Sequence, residues 1–494
     1  GTVLLLLYHI FAIRSFFTLQ KGVITMNCNP YLPFDTYIPD GEPHVFGNRL
    51  YLYGSHDIAN RNQFCPGDYT VYSCPVNDLT NWRFDGVSYR RTDDPHNLDN
   101  THSLFAPDVA RGTDGNYYLF YCLDFLQEVG VAKSDRPEGP FSFYGHIHYP
   151  DGTILREHFP YDPAALVDDD GSVYLYYGFA AHFSNGSFGT ITPSPGCMVI
   201  ELASDMLTVK SGPTLCLPTE LNCAGTSFPA EHAYFEAPSI RKYNGLYYLV
   251  YSSQAQHELC YATSTCPTSG FTYRGVLISN GDLGLDGNKK AVNYTGTNHG
   301  GLVQIQDSFY IFYHRNTHGL ATSRQSCAEK IGMDAKGLFS QVGISSYGLC
   351  GRPFREKGSY PAFAACYLEN LDTSPQMKVK QDFKASEPYY YEDTSKDQTL
   401  HYIANLHDRC LFGYHSFDLH AHASVTLCLR GSASGRLLIS ANRDGREVLA
   451  DGKLDLTGDW TYITFSLSNS SGISKLYFTY YGEGSFAFKE LILR

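Results

Sequence analysis

An all-β chain, a five-bladed β-propeller followed by a β-sandwich, is what this 494-residue sequence predicts. Three observations predict it. The first is a turn followed by an aromatic strand that recurs five times: Gly47-Asn-Arg-Leu-Tyr-Leu-Tyr, Gly115-Asn-Tyr-Tyr-Leu-Phe-Tyr, Gly171-Ser-Val-Tyr-Leu-Tyr-Tyr, Gly245-Leu-Tyr-Tyr-Leu-Val-Tyr and Asp307-Ser-Phe-Tyr-Ile-Phe-Tyr. The repeats stand roughly 55 to 75 residues apart, the length of a four-stranded antiparallel blade with generous loops. The second is composition: 39 Tyr and 45 Gly beside 2 Trp suit short strands and tight turns better than helices. The third is a change of pattern near Lys378, after which short alternating or apolar runs such as Ser424-Val-Thr-Leu-Cys-Leu and Trp460-Thr-Tyr-Ile-Thr-Phe-Ser-Leu dominate.

The length calls for more than one core, since single cores stop growing near ~250 to 300 residues. The repeats place the propeller at residues 26–350. A stretch with Pro353, Gly358 and Pro361 but no periodicity reads as a linker over 351–377, and 378–494 as the sandwich. Residues 1–25 read as upstream sequence. They are apolar but interrupted by Arg14 and followed by no small-residue cleavage site, whereas Met26 opens into Asn27-Cys28-Asn29-Pro30. A protein starting at Met26 is expected to be cytoplasmic; a genuine 1–25 segment implies export or membrane anchoring. The 14 cysteines run from Cys28 to Cys428 without a Cys-x-x-Cys pair, and read as buried free thiols in a reducing compartment.

A net charge of -13 without basic clusters excludes a nucleic-acid surface, and no membrane partner is expected. Abundant Tyr, flat and apolar with a hydroxyl at its tip, suits a sugar.

In four of the five repeats a polar residue precedes the turn by about seven to nine positions: Asp40, Asp162, Glu236 and His299. The first strand of each blade lines a propeller's axis, so these groups are expected to converge. In the second repeat Phe105-Ala106-Pro107-Asp108 aligns with Glu236-Ala237-Pro238-Ser239. Phe105 therefore takes the axial place as an apolar pocket wall, and Asp108 lies deeper with a structural role. Asp168, Asp169 and Asp170 read as a solvated turn.

Three convergent carboxylates supply the inventory for glycosidic bond cleavage, which needs one protonated acid and one carboxylate, with a third charge able to raise the acid's pKa. There is no Gly-rich phosphate loop, no Gly-x-Ser-x-Gly elbow and no His-Glu-x-x-His. The residues leave open which carboxylate does what.

The stretch Asn29-Pro30-Tyr31, Tyr37-Ile-Pro-Asp40-Gly-Glu-Pro-His-Val-Phe46 and Tyr53-Gly-Ser-His-Asp57 resembles glycoside hydrolase family 43. So do Phe105-Ala-Pro-Asp-Val109, Asp162-Pro163 with Asp168-Asp-Asp-Gly171, Phe235-Glu236-Ala-Pro238, and Asn298-His299-Gly300 with Tyr313-His314-Arg315. The resemblance implies an inverting mechanism with Asp40 as general base, Glu236 as general acid, and Asp162 raising and orienting that acid. It implies that His299 helps hold a structural cation, often calcium and then ligated mostly by water, or a water cluster on the propeller axis, with no cofactor needed for the chemistry. It also brings His56 and Arg315 to the substrate pocket.

The stretch from Val425 to Gly431 and the Trp460 and Tyr477 strands resemble the jelly-roll carbohydrate-binding modules of family 6, with Trp460 expected in the core and Tyr389, Tyr390 and Tyr391 as a stacking platform or a plain strand. The expected activity is removal of α-L-arabinofuranosyl or β-D-xylosyl residues from hemicellulose fragments. Endo-arabinanase action and a non-catalytic sugar-binding propeller are the alternatives.

Overall fold

The computed structural model describes residues 23–25, 28–181, 192–355, 357–375, 387–395, 398–420, 423–468 and 472–494. Most of the 1–25 segment therefore lies outside the described residues; the backbone of Val23–Thr25 pairs with the outer strand of the first blade. Among the described residues the helical elements are short 3-10 turns, and no helix is long and apolar enough to cross a membrane.

Five sheets follow one another along the chain. Their innermost strands are Glu42–Phe46, Leu104–Arg111, Ala164–Val167, Tyr234–Tyr243 and Leu302–Ile305. Each turns back at once into the aromatic strand of the repeat, and Gly47, Gly115, Gly171 and Gly245 take positive φ at those turns, between 62° and 86°, where a Cβ is disfavoured. Alternation along the aromatic strands then glues the blades together. Val173, Leu175 and Tyr177 of the third blade pack with Phe120 and Val131 of the second, while Tyr176 faces Leu249 and Tyr251 of the fourth.

The fifth blade has three strands, Leu302–Ile305, Ser308–Arg315 and Gln325–Ile331. The segment around Asn29 and Tyr31 bonds to its last strand. Fully buried Asn29 donates to Ala328 O, Ser345 O and Glu329 Oε1 and accepts from the Ala328 amide, while the Tyr31 amide donates to Ser326 O. The ring is thus clasped by residues some 300 positions apart.

The residues expected as a linker are not one. Gly358–Pro361 and Tyr367–Asn370 are strands of the C-terminal sheet. Four-residue strands carrying Pro361 leave no readable period, and their sheet partners lie far away in sequence. The spine of this sandwich is the 21-residue strand Ile473–Leu493, which pairs with Gly358–Pro361, Leu400–His407, Cys410–Asp418 and Ser424–Ser440. Its core holds Phe412, Leu427, Phe478 and Phe488, and the same cluster takes in Cys28, Phe34 and Tyr294 of the propeller.

Tyr389–Asp393 is a strand, with Tyr390 buried and hydrogen-bonded to Ala365 O. Trp460 does not enter the core as expected. It is half-buried on the outer face of the sheet, against Tyr402, with the Arg430 guanidinium over its ring. All 14 cysteines are free thiols, and 12 of them are buried.

Candidate active site

At the axial mouth of the propeller a cavity of about 230 Å³ is lined by Asp40, Asp162 and Glu236 together with His299 and Arg324. The three carboxylates come from blades one, three and four, as their matched places in the repeat require. Each stands where the backbone is forced. Asp40 and Asp162 have φ of 57° and 48°, and Ala237, directly after Glu236, has 63°. Glu236 also sits at a register shift of its strand, a bulge that re-aims one side chain. Non-glycine residues rarely hold positive φ, and such strain gathers at functional sites.

Arg324 organises the charge. Its Nη1 donates to Asp40 Oδ1 at 2.8 Å, while Nε and Nη2 grip Asp57 at 2.8 and 3.0 Å. Burial alone would push the Asp40 carboxyl up; Arg324 foremost, then His299 and His314, reverse this and hold it below its ordinary value. Glu236 shows the opposite behaviour. Burial first, then the charge of Asp40, push it up to about 8 against a weaker lowering by Arg324. Asp162 also rises, through burial and then through Glu236 and Asp40. At neutral pH the pocket thus holds an ionised Asp40 facing a protonated partner, the division of labour that general acid and base catalysis requires.

Beneath the pocket a second layer ties the inner strands together. Asp108 Oδ1 bonds His44 Nε2 at 2.6 Å and its Oδ2 accepts from the Ala165 amide, while Glu42 accepts from Arg241 and Ser239. Asp108 is therefore structural, as its offset in the repeat foretold. Asp168 pairs with Lys242 and Tyr247 at the rim of its sheet.

The walls are aromatic: Phe64, Phe105, Phe125, Tyr161, Phe179 and Phe235. Phe105 stands where alignment of the repeats put it. Two expected substrate contacts are corrected. His56 is absent from the lining; its Nδ1 bonds the Asp68 carbonyl at 3.0 Å and its ring packs on Gly67, which fastens a loop. Arg315 is buried away from the cavity, donating to Cys327 Sγ and to Ala365 O beneath the C-terminal module. Strand alternation turns it opposite to His314, whose Nδ1 accepts from the Asp40 amide at 3.2 Å. The arginine of the pocket is Arg324, which lies outside every repeated motif and left no signal to find.

A sequence profile of glycosyl hydrolases family 43 matches residues 35–339. The chain belongs to glycoside hydrolase family 43. This family 43 hydrolase is 42% identical, over 94% of its length and 98% of the relative's, to a xylosidase/arabinosidase of Thermoclostridium stercorarium. Among solved structures it resembles a family 43 β-xylosidase/α-arabinofuranosidase from a compost metagenome, in complex with xylotriose in a calcium-free form. That likeness is 26% identical with a TM-score of 0.51, over 65% of this chain and 98% of that one. The fold of both domains is shared with an arabinoxylan arabinofuranohydrolase of Bacillus subtilis, at 20% identity and a TM-score of 0.51 over 94% and 97% of the two chains.

The expectation of a cation at His299 meets a poor donor set. Calcium takes six to eight oxygen ligands. Here the ring Nδ1 lies 3.8 Å from Asp40 and 3.9 Å from Asp162, and Asp40 is already engaged by Arg324. Among the described residues His299 is in no group of three or more converging metal-ligand side chains. Burial holds its ring near pKa 4, hence neutral. An ion at this place would draw most of its oxygen ligands from water, beside His299.

Proposed function

We propose that this family 43 hydrolase removes single α-L-arabinofuranosyl or β-D-xylosyl units from hemicellulose-derived chains with inversion at the anomeric carbon. The observation that carries the reading is the opposed protonation of two carboxylates in one pocket, Asp40 held ionised by Arg324 and Glu236 held protonated by burial. Asp40 takes a proton from water as that water attacks the anomeric carbon. The bond to the departing oxygen breaks, and Glu236 gives its proton to that oxygen. Asp162, raised by burial and by its neighbour Glu236 and bonded to the amide of Ala237, keeps the acid's backbone in place. A cavity of about 230 Å³ walled by aromatic rings suits one pentose ring, which supports exo action. The names of the relatives support the choice of sugars.

The test is incubation with nitrophenyl α-L-arabinofuranoside, nitrophenyl β-D-xyloside and linear arabinan, with proton NMR of the first-formed sugar. Release of a single pentose with inverted configuration is expected. Retained configuration, or cleavage of arabinan to oligomers without reaction of either aryl glycoside, overturns it.

A further inference from the structure

On the flank of the second blade, away from the catalytic cavity, two imidazoles and two buried carboxylates meet. Asp94 and His96 belong to the connection that leads from the first blade to the second; His96 lies in the turn Pro95–Asn97. His146 ends the strand Ser142–His146, and Glu128 directly precedes Val129–Ser134. One ring nitrogen of each histidine and one carboxylate oxygen of Asp94 all lie within 4.8 Å of one another. His146 Nε2 is 3.2 Å from Asp94 Oδ2. A tetrahedral ion with bonds of about 2.0 to 2.1 Å sets its ligands roughly 3.3 to 3.4 Å apart, so this pair is already at ligand spacing. The two rings are nearly parallel, with centroids 4.2 Å apart.

We infer that Asp94, His96 and His146 bind one divalent transition cation of the zinc type. Imidazole with carboxylate is the donor set such ions favour, whereas calcium and magnesium call for oxygens. Glu128 is the adjoining carboxylate, 2.5 Å from His96 Nδ1 and placed to orient that ring as outer carboxylates do in zinc sites, with His146 Nε2 3.8 Å away. The charge balance points the same way. Asp94 is fully buried and Glu128 is 2% exposed, and among the described residues Arg156, with Nη2 on Glu128 at 2.7 Å, is the one permanent cation paired with them. His96, with its side chain 39% exposed, opens the site to solvent and gives an ion its way in. A bound ion would pin the connection to the blade just before Leu104–Arg111, the strand that carries Phe105.

The experiment uses the full chain, stripped with EDTA and freed of it. Titration with zinc chloride by calorimetry should show one equivalent bound, with a rise in Tm of about 5 °C at saturating ion. Cobalt(II) should give visible ligand-field bands without the near-ultraviolet charge transfer of a thiolate. His96→Ala, at an accessible position, and His146→Gln should each abolish the equivalent, and Glu128→Gln should weaken it about 10- to 100-fold. Unbound zinc and an unmoved Tm in the folded wild type would overturn the site. So would an equivalent that survives both histidine variants, or a thiolate band, which assigns the ion to the His232, Glu258 and Cys260 group or to exposed Cys266.

Discussion

Arg324 Nη1 lies 2.8 Å from Asp40 Oδ1, and the same guanidinium closes on both oxygens of Asp57. One buried cation therefore lowers Asp40, and it also restrains the rise of Glu236 and Asp162. Arg324→Gln removes that influence, so all three carboxyls rise. Both limbs of the pH profile of kcat/KM should move to higher pH, with a loss of about 10²-fold at the optimum. A fall in rate at unchanged limbs would show that Arg324 acts on the sugar alone.

The acid and base separate by leaving group. Glu236→Ala should lose about 10² to 10⁴-fold on xylan or arabinan linkages and much less on nitrophenyl glycosides, whose leaving group departs as a stable anion. Asp40→Ala should fall alike on both, because water activation is needed whatever departs. The measurement is kcat/KM across leaving groups of graded acidity. A graded loss for Asp40→Ala with a uniform one for Glu236→Ala would exchange the roles.

Glu236 also couples stability to pH. Its ordinary value is 4.5 and the folded protein pushes it up to about 8, chiefly by burial. The folded state thus binds this proton more tightly than the unfolded chain does. The stabilisation is full below pH 4.5 and is lost as pH rises toward 8. Glu236→Gln cannot ionise, so its Tm should gain on the wild type steadily between those values. Parallel Tm curves for the two proteins would remove burial as the cause of the shift.

The clasp at Asn29 gives a stability prediction separate from catalysis. Asn29→Ala strands the Ala328 amide and the Ser345 carbonyl in a dry interior and takes one donor from Glu329, which keeps Tyr313 and Ser345. A loss of about 2 to 4 kcal/mol is expected, seen in urea unfolding, with kcat on nitrophenyl substrates little changed at low temperature. An unaltered unfolding midpoint would mean that the ring closes by other contacts.

The blades and the carboxylate trio were legible because both repeat. A glycine turn and a Tyr-rich strand return in four blades, and Asp40, Asp162 and Glu236 hold matched places before them. What could not be read lacked repetition. Arg315 and Arg324 are nine residues apart on one hairpin of the fifth blade, and strand alternation plus one turn decide which of them meets Asp40. His56 looked functional beside Asp57, yet its ring serves a loop while Asp57 holds Arg324. Gly358–Pro361 and Tyr367–Asn370 are strands because Ile473–Leu493 and Cys410–Asp418 pair with them, and nothing in four residues announces a distant partner.

Ile473–Leu493 has a consequence for how the protein is made. A ribosome delivers residues in order, so the five blades are complete and clear of the exit tunnel well before this strand exists. The C-terminal strands must wait for it. Until it emerges, Leu411, Phe412, Leu427 and Leu437, all fully buried in the finished molecule, have no cover from their central neighbour. Pairing across such long separations is slow, and unpaired apolar strands invite aggregation. Translation that stalls shortly before residue 473 leaves a folded propeller trailing a sticky half-sheet, so the hazardous moment for this chain is the interval in which its earlier sandwich strands are out and Ile473–Leu493 is not.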